Sequence, residues 1–243
     1  MSGGELNTRE TIVKIRVLGA GGGGSNAVNR MVEDEVQNVD FIVVDTNAIS
    51  ASKSKARNII QIGENEAKGI GAGANPEVKE NVNALIVIEN DKLLKSNSEN
   101  ITIINAFKQA DNTLKQGIVG ITNLLNTVGE INIDFADIST IIGIKGLAYM
   151  GIGSSNGEKA LETATRKAID NPLTSVKING AKGIIINIQG SKDLSLTEIN
   201  SSVSIINDIV NPDANIIFGT VIDEELGDEV IVTVIATGVD ETY

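Results

Sequence analysis

The run Gly19-Ala20-Gly21-Gly22-Gly23-Gly24 joins a β-branched stretch, Ile12 to Leu18, to a segment that carries Val28, Met31, Val32 and Val36 at helical spacing from Ser25-Asn26 onward. Strand, glycine turn and helix are followed by a second strand pattern, Phe41-Ile-Val-Val-Asp45. A β-α-β unit of this kind brings its strands together in parallel through a right-handed crossover. The chain therefore reads as α/β.

Glycine leaves no Cβ between main-chain N–H groups and a ligand, and a helix start adds unpaired N–H groups and a positive dipole end. The turn reads as a phosphate seat. Gly19, Gly21 and Gly24 also fit the G-x-G-x-x-G spacing of dinucleotide-binding folds, and Asp45 stands where such folds hold an adenosine ribose. A NAD-binding oxidoreductase is one reading of these residues. A P-loop is excluded, because no G-K-[ST] follows the glycines.

With 243 residues, 41% of them hydrophobic, the chain is long enough for one large or two modest domains. A formal charge of −12 and the lack of a basic stripe argue against a nucleic-acid partner. Cysteine and histidine are both absent, which removes disulfides, thiolate nucleophiles, the usual zinc sites and the usual general base. No cluster of metal-ligating residues is assigned. No apolar run approaches the roughly 20 residues of a membrane span, and the start has no apolar signal core, so a cytoplasmic protein without direct membrane binding is expected.

Residues 1–11 read as a flexible arm, 12–128 as a nucleotide-binding domain and 129–243 as a second α/β domain. Further strands are expected at Asn58 to Ile62 and Ala84 to Ile88, with the glycine-rich loop Gly69 to Pro76 between them. Ile104, Phe107, Ala110, Leu114, Ile118, Ile121 and Leu125 trace one face of a long helix that connects the halves. Strands follow at Gly146 to Ile152, Ala181 to Ile188, Asn215 to Ile222 and Val230 to Thr237. The last two read as a hairpin through Asp223 to Gly227, and Ser195 with Glu198 as a capping box.

Asp134 and Asp137 lie three residues apart after the long helix, beside Asn132. On the first turn of a helix they share one side, where two carboxylates and an amide can position a water or a cation. The same residues could serve only as a cap and a complement to the helix dipole.

The glycine turn through Met31, Gly71 to Glu77, Ala106-Phe107 with Ala110-Asp111-Asn112, the Asp134–Asp137 segment, and Asp213-Ala-Asn-Ile-Ile-Phe-Gly219 together resemble the FtsZ family of tubulin homologues. The resemblance covers most of the chain from Ile12 to Asp240. It implies a tubulin-like two-domain fold: a Rossmann-like parallel sheet, here shortened, joined by a long central helix to an α/β domain with a mixed sheet. It also implies GTP and GDP as ligands with Mg²⁺. Gly21, Gly22, Gly23 and Asn26 would hold the phosphates, Ala72, Gly73 and Ala74 would face the γ-phosphate, and Phe107 with Asp111 would hold guanine. Asp45 stands in the same site, where the family usually has Asn. Asn132, Asp134 and Asp137 would complete the nucleotide site of the next subunit in a head-to-tail filament, so that hydrolysis follows assembly and the protein works at the division septum.

The chain departs from the family's pattern after Glu77, where it runs almost directly into the strand at Ala84, and the signature G-G-G-T-G-T-G occurs nowhere. Each charge-assisted hydrogen bond lost with that loop is worth about 1.5–3 kcal/mol. If the shortened sheet closes, Ile15 and Val17 become neighbours of Ile86 and Ile88. The chain ends at Tyr243, without the family's C-terminal recognition peptide, so docking to membrane tethers through that peptide is not expected. The alternative to a self-assembling GTP hydrolase is a non-hydrolysing relative or fragment that caps or modulates filaments of a full-length FtsZ.

Overall fold

The computed structural model describes residues 14–62, 82–87, 103–126, 131, 133–172 and 174–239. The chain opens with β1 (Ile15–Ala20), α1 (Gly21–Glu33), β2 (Val39–Asp45), a short helix α2 (Ala48–Ser52) and β3 (Asn58–Gln61). All three strands are parallel, in the order β1-β2-β3, with Gly19 opposite Val43 and Ile42 opposite Asn58. Helix α1 lies across β1 and β2, and Val28 meets Val43 and Ala56 in a small core with Val17, Val32 and Phe41 at its margin. The opposite face keeps less cover: Leu18 is 56% exposed and Ile60 47%.

The long helix is α3 (Ile103–Asn126). It packs on α1 and on the second sheet, where Gly117 has no Cβ to collide with Met150. That sheet contains β4 (Ala84–Ile86), β5 (Gly146–Ser155), β6 (Gly183–Gly190), β7 (Asn215–Ile222) and β8 (Val230–Thr237) in the order β4-β5-β8-β6-β7. Strand pairs β4–β5 and β6–β7 are parallel, whereas β8 runs antiparallel to both β5 and β6. Helices α5 (Ala160–Ile169) and α6 (Leu196–Asn207) cover one face, and α3 with α4 (Phe135–Ile142) the other. Ile184, Ile186 and Ile188 of β6 point into the first layer and Ile185 into the second, which is why this strand is apolar at consecutive positions. The described strands thus form one parallel and one mixed sheet, the α/β arrangement that the resemblance implies.

Two expectations are corrected. β7 and β8 do not form a hairpin, because β6 lies between them. The connection is a 3-10 turn, Glu224–Leu226, capped by Asp223, after which the chain crosses to the seat between β5 and β6. Val232, Val234 and Ala236 are each 0% exposed there, a burial that an edge position would deny to a strand apolar on both faces. The other concerns only the case in which the shortened sheet closes, with Ile15 and Val17 beside Ile86: that closure does not occur, since Ile86 is opposite Ala148 and β4 joins the second sheet. No strand pairs the outer edge of β1 among the described residues.

Candidate functional site

The glycines belong to the helix rather than preceding it. Helix α1 starts at Gly21, four residues before the position expected from apolar spacing, so Gly21 to Gly24 form its first turn. Apolar periodicity is silent on residues without side chains, which is why the sequence placed the start late. Gly21 turns at φ 66°, a conformation that favours glycine. A Cβ on Gly19 would lie 2.4 Å from the Gly24 carbonyl oxygen, so these two allow strand and helix to touch. A Cβ on Gly22 or Gly23 would meet nothing within 4 Å, and both residues are exposed. No side chain caps the helix at Ala20. Bare backbone, an uncapped helix start and open space fit a phosphate group.

Asn26 is exposed on the next turn, while Ser25 and Asp45 are buried. Asp45 ends β2, beside the glycine turn through the pairing of Ala20 with Val44. Its Oδ1 accepts the Asn47 N–H at 2.9 Å, and Asn47 in turn caps α2 by accepting from Ile49 and Ser50. The Oδ2 of Asp45 and the Oγ of Ser25 are buried without a hydrogen-bond partner. Ser25 escaped the sequence reading, although a serine one turn before Val28 on an apolar helix face was a usable signal.

Asp111 on α3 forms an ion pair with Arg30 of α1, and Lys115 donates to Asp34 at 2.7 Å. Burial pushes the Asp111 carboxyl up, against the downward pull of the Arg30 guanidinium. Together these groups line a cleft of about 340 Å³ between α1 and α3. It is one helical turn from Phe107, whose backbone lies in α3 but whose side chain is outside the described residues. Ala72, Gly73, Ala74 and Asn132 also lie outside them.

Asp134 and Asp137 do share the start of a helix. Asp134 is the N-cap of α4, its Oδ1 accepting the Ala136 N–H at 3.2 Å, and Asp137 is in the first turn. Both are exposed, and capping is a role that Asp134 performs geometrically. Ile131 is tied to β7, donating its N–H to Thr220 Oγ1 at 3.1 Å and accepting the Thr220 N–H at 3.1 Å. The acids are thus mounted on the second sheet and the glycine turn on the first. No ion pair joins them among the described residues, and no group of three metal-ligating side chains occurs there. No described helix is long and apolar enough to cross a membrane.

Residues 14–81 match the family model for the Tubulin/FtsZ family, GTPase domain, and residues 146–240 the model for the FtsZ family, C-terminal domain. Among solved structures, an empty FtsZ dimer from M. jannaschii is similar at TM-score 0.82 and 27% identity, over 95% of this chain and 89% of that one. A mutant FtsZ from M. jannaschii gives 0.80 and 28%, over 93% and 91%. A GTPγS-bound protofilament of CetZ2 from Haloferax volcanii gives 0.73 and 12%, over 95% and 94%, a likeness of fold alone. The glycine turn falls within the first matched segment, the strands behind the acid pair within the second, and the chain belongs to the tubulin/FtsZ family of GTPases.

Proposed function

We propose that this chain binds GTP and GDP at the carboxyl edge of β1 and β2 and assembles head to tail into cell-division filaments. The observation that carries the reading is the open, uncapped glycine turn on one sheet with the acid pair mounted separately on the other. Gly21, Gly22, Gly23 and Asn26 hold the phosphates, with Ala72, Gly73 and Ala74 toward the γ-phosphate. Asp45 stands at the edge of this seat. Asp111 accepts hydrogen bonds from the guanine ring, which requires Arg30 to share or release its carboxylate, and Phe107 holds guanine with it. A divalent cation bound with the triphosphate supplies charge neutralisation. Asn132, Asp134 and Asp137 orient the attacking water on the neighbouring subunit's nucleotide. Because the G-G-G-T-G-T-G loop is absent from the sequence, turnover is slow.

A fluorescent GTP analogue titrated against the protein with Mg²⁺ tests the nucleotide site. Displacement by GTP but not by NAD is the expected result, and displacement by NAD alone returns the chain to the oxidoreductase reading. The missing loop favours a second reading, a partner that caps filaments of a complete FtsZ. Sedimentation of the chain with GTP, alone and mixed with such a relative, separates the two.

A further inference from the structure

We infer that the start of α5, with Ser202 of α6 beside it, forms a site for one small tetrahedral oxyanion of the phosphate or sulfate class. The site belongs to the helices over the second sheet, apart from the glycine turn, and does not depend on the nucleotide reading.

Two separate features meet there. One is the bare start of α5. No side chain caps it, because the N-cap position is Lys159, whose side chain can only donate, held at φ 60° after Gly157 at φ 79°. The Ala160 N–H reaches back to the Gly157 carbonyl at 3.1 Å and the Thr163 N–H to the Lys159 carbonyl at 3.0 Å. Between them, the Leu161 and Glu162 N–H groups make no bond to the turn before the helix. Those two donors point out of the positive end of the helix dipole.

The other feature is Ser202, 3% exposed, whose Oγ has no hydrogen-bond partner. A serine inside a helix can donate to the carbonyl four residues back, as Ser201 does to Thr197 and Ser204 to Asn200, both at 2.9 Å. Ser202 lies between these two and does not. A buried hydroxyl in this state is uncommon and calls for a partner from outside the protein.

Both features line one cavity of about 160 Å³, with Lys159, Leu161 and Glu162 on the α5 wall and Glu198 and Ser202 on the α6 wall. That is smaller than the pockets that take drug-sized ligands, and it suits a single compact ion. The two carboxylates on its walls are already held. Glu162 Oε1 accepts from Arg166 Nε and Nη2 at 3.1 and 3.0 Å, and Glu198 Oε2 from the Ser195 N–H and hydroxyl at 3.0 and 2.7 Å. Lys159 has no ion pair among the described residues. The unused groups are therefore two backbone N–H groups, a hydroxyl and an ammonium. Their complement is a ligand that accepts hydrogen bonds on every side and carries negative charge.

The test titrates inorganic phosphate, against chloride at constant ionic strength, into ¹⁵N-labelled wild type, Ser202→Ala, Lys159→Gln and the control Lys145→Gln at the far end of β5. Nucleotide is left out, so failure of the guanine site cannot be mistaken for failure of this one. Saturable shifts of the Leu161 and Glu162 amides are expected in wild type and in Lys145→Gln. Affinity should fall about tenfold in Ser202→Ala, which loses a hydrogen bond to a charged ligand, and about threefold in Lys159→Gln, which loses an exposed charge. A phosphoserine peptide titrated alongside separates the two sources of such an ion: tighter binding than inorganic phosphate assigns the site to a phosphorylated side chain, weaker binding to the free ion. Shifts that do not saturate, that chloride reproduces, or that are as tight in Ser202→Ala as in wild type overturn the site. Saturation by Ca²⁺ and not by phosphate also overturns it, and gives the cavity to Glu162 and Glu198.

Discussion

The two sheets are built from similar strands and buried very differently. In the second sheet Ile184, Ile188, Val232 and Val234 are each 0% exposed, because helices cover both faces and β8 is flanked on both edges. In the first, β1 and β3 carry equally apolar residues, yet Leu18, Ile59, Ile60 and Ile62 remain exposed. Among the described residues what differs is cover and edge position, not the propensity of the strands: Ile60 lies on the face away from α1, and Ile59, opposite Val43, sits on the edge strand β3. The better-packed half holds the exposed acid pair on a rigid base, while the sparer half holds the glycine turn and the unpartnered groups around it.

The largest contrast is expected from cutting into each half in turn. Ile186→Ala, in a position 1% exposed, should cost about 3–4 kcal/mol in denaturant unfolding, whereas Leu18→Ala should cost under about 0.5 kcal/mol. Similar losses at both positions would show that the first sheet is covered in solution.

Next in size is Tyr149→Phe. The Tyr149 hydroxyl is shared between the Ala168 and Ile169 carbonyls at 2.6 and 2.7 Å and accepts the Asn171 N–H at 3.0 Å, and burial drives its ionisation well above the ordinary tyrosine range. Losing it strands buried polar groups at a cost of about 1–3 kcal/mol, read as a lowered unfolding midpoint. No alkaline transition from this residue should appear below the normal tyrosine range.

Within the glycine turn the same chemical change should have opposite effects at two positions. Gly19→Ala forces a methyl against the Gly24 carbonyl and should destabilise the β1–α1 unit by about 1–3 kcal/mol. Gly22→Ala meets open space in a helix and should leave the unfolding free energy unchanged or raised by up to about 1 kcal/mol, while weakening binding of the fluorescent nucleotide. Equal nucleotide affinity in Gly22→Ala and wild type would remove the phosphate from that turn.

The smallest effect belongs to the cap of α6. Ser195→Ala should cost about 1 kcal/mol. The Ser195 hydroxyl and N–H hold the Glu198 carboxyl below its usual range. That contribution is present above the unfolded carboxylate range and is lost as pH falls through the lowered folded value, so the variant should differ least from wild type in acid.

Strand content, the long helix, the Ser195 capping box and the acid pair at a helix start were legible in the residues, since each is set by local spacing or by groups within four residues of one another. The Ser195–Glu198 pair illustrates this: both halves of its hydrogen-bond exchange lie inside one helical turn. The start of α1 was misplaced because glycine leaves no periodic mark. The seat of β8 was misread as a hairpin because chain proximity and a turn-like acidic linker suit either connection.

What the sequence determined by itself is the alternation of α and β elements, the glycine turn and the residue types available for chemistry, all consequences of short-range sterics and side-chain identity. Only the tertiary structure decided that β4 pairs with β5, that β8 divides β5 from β6, that Arg30 meets Asp111, and that Asp45 Oδ2 and Ser25 Oγ are buried without a hydrogen-bond partner. Those outcomes depend on which apolar faces find a covering layer. That is settled by the summed burial of distant segments, a quantity no local stretch of residues carries.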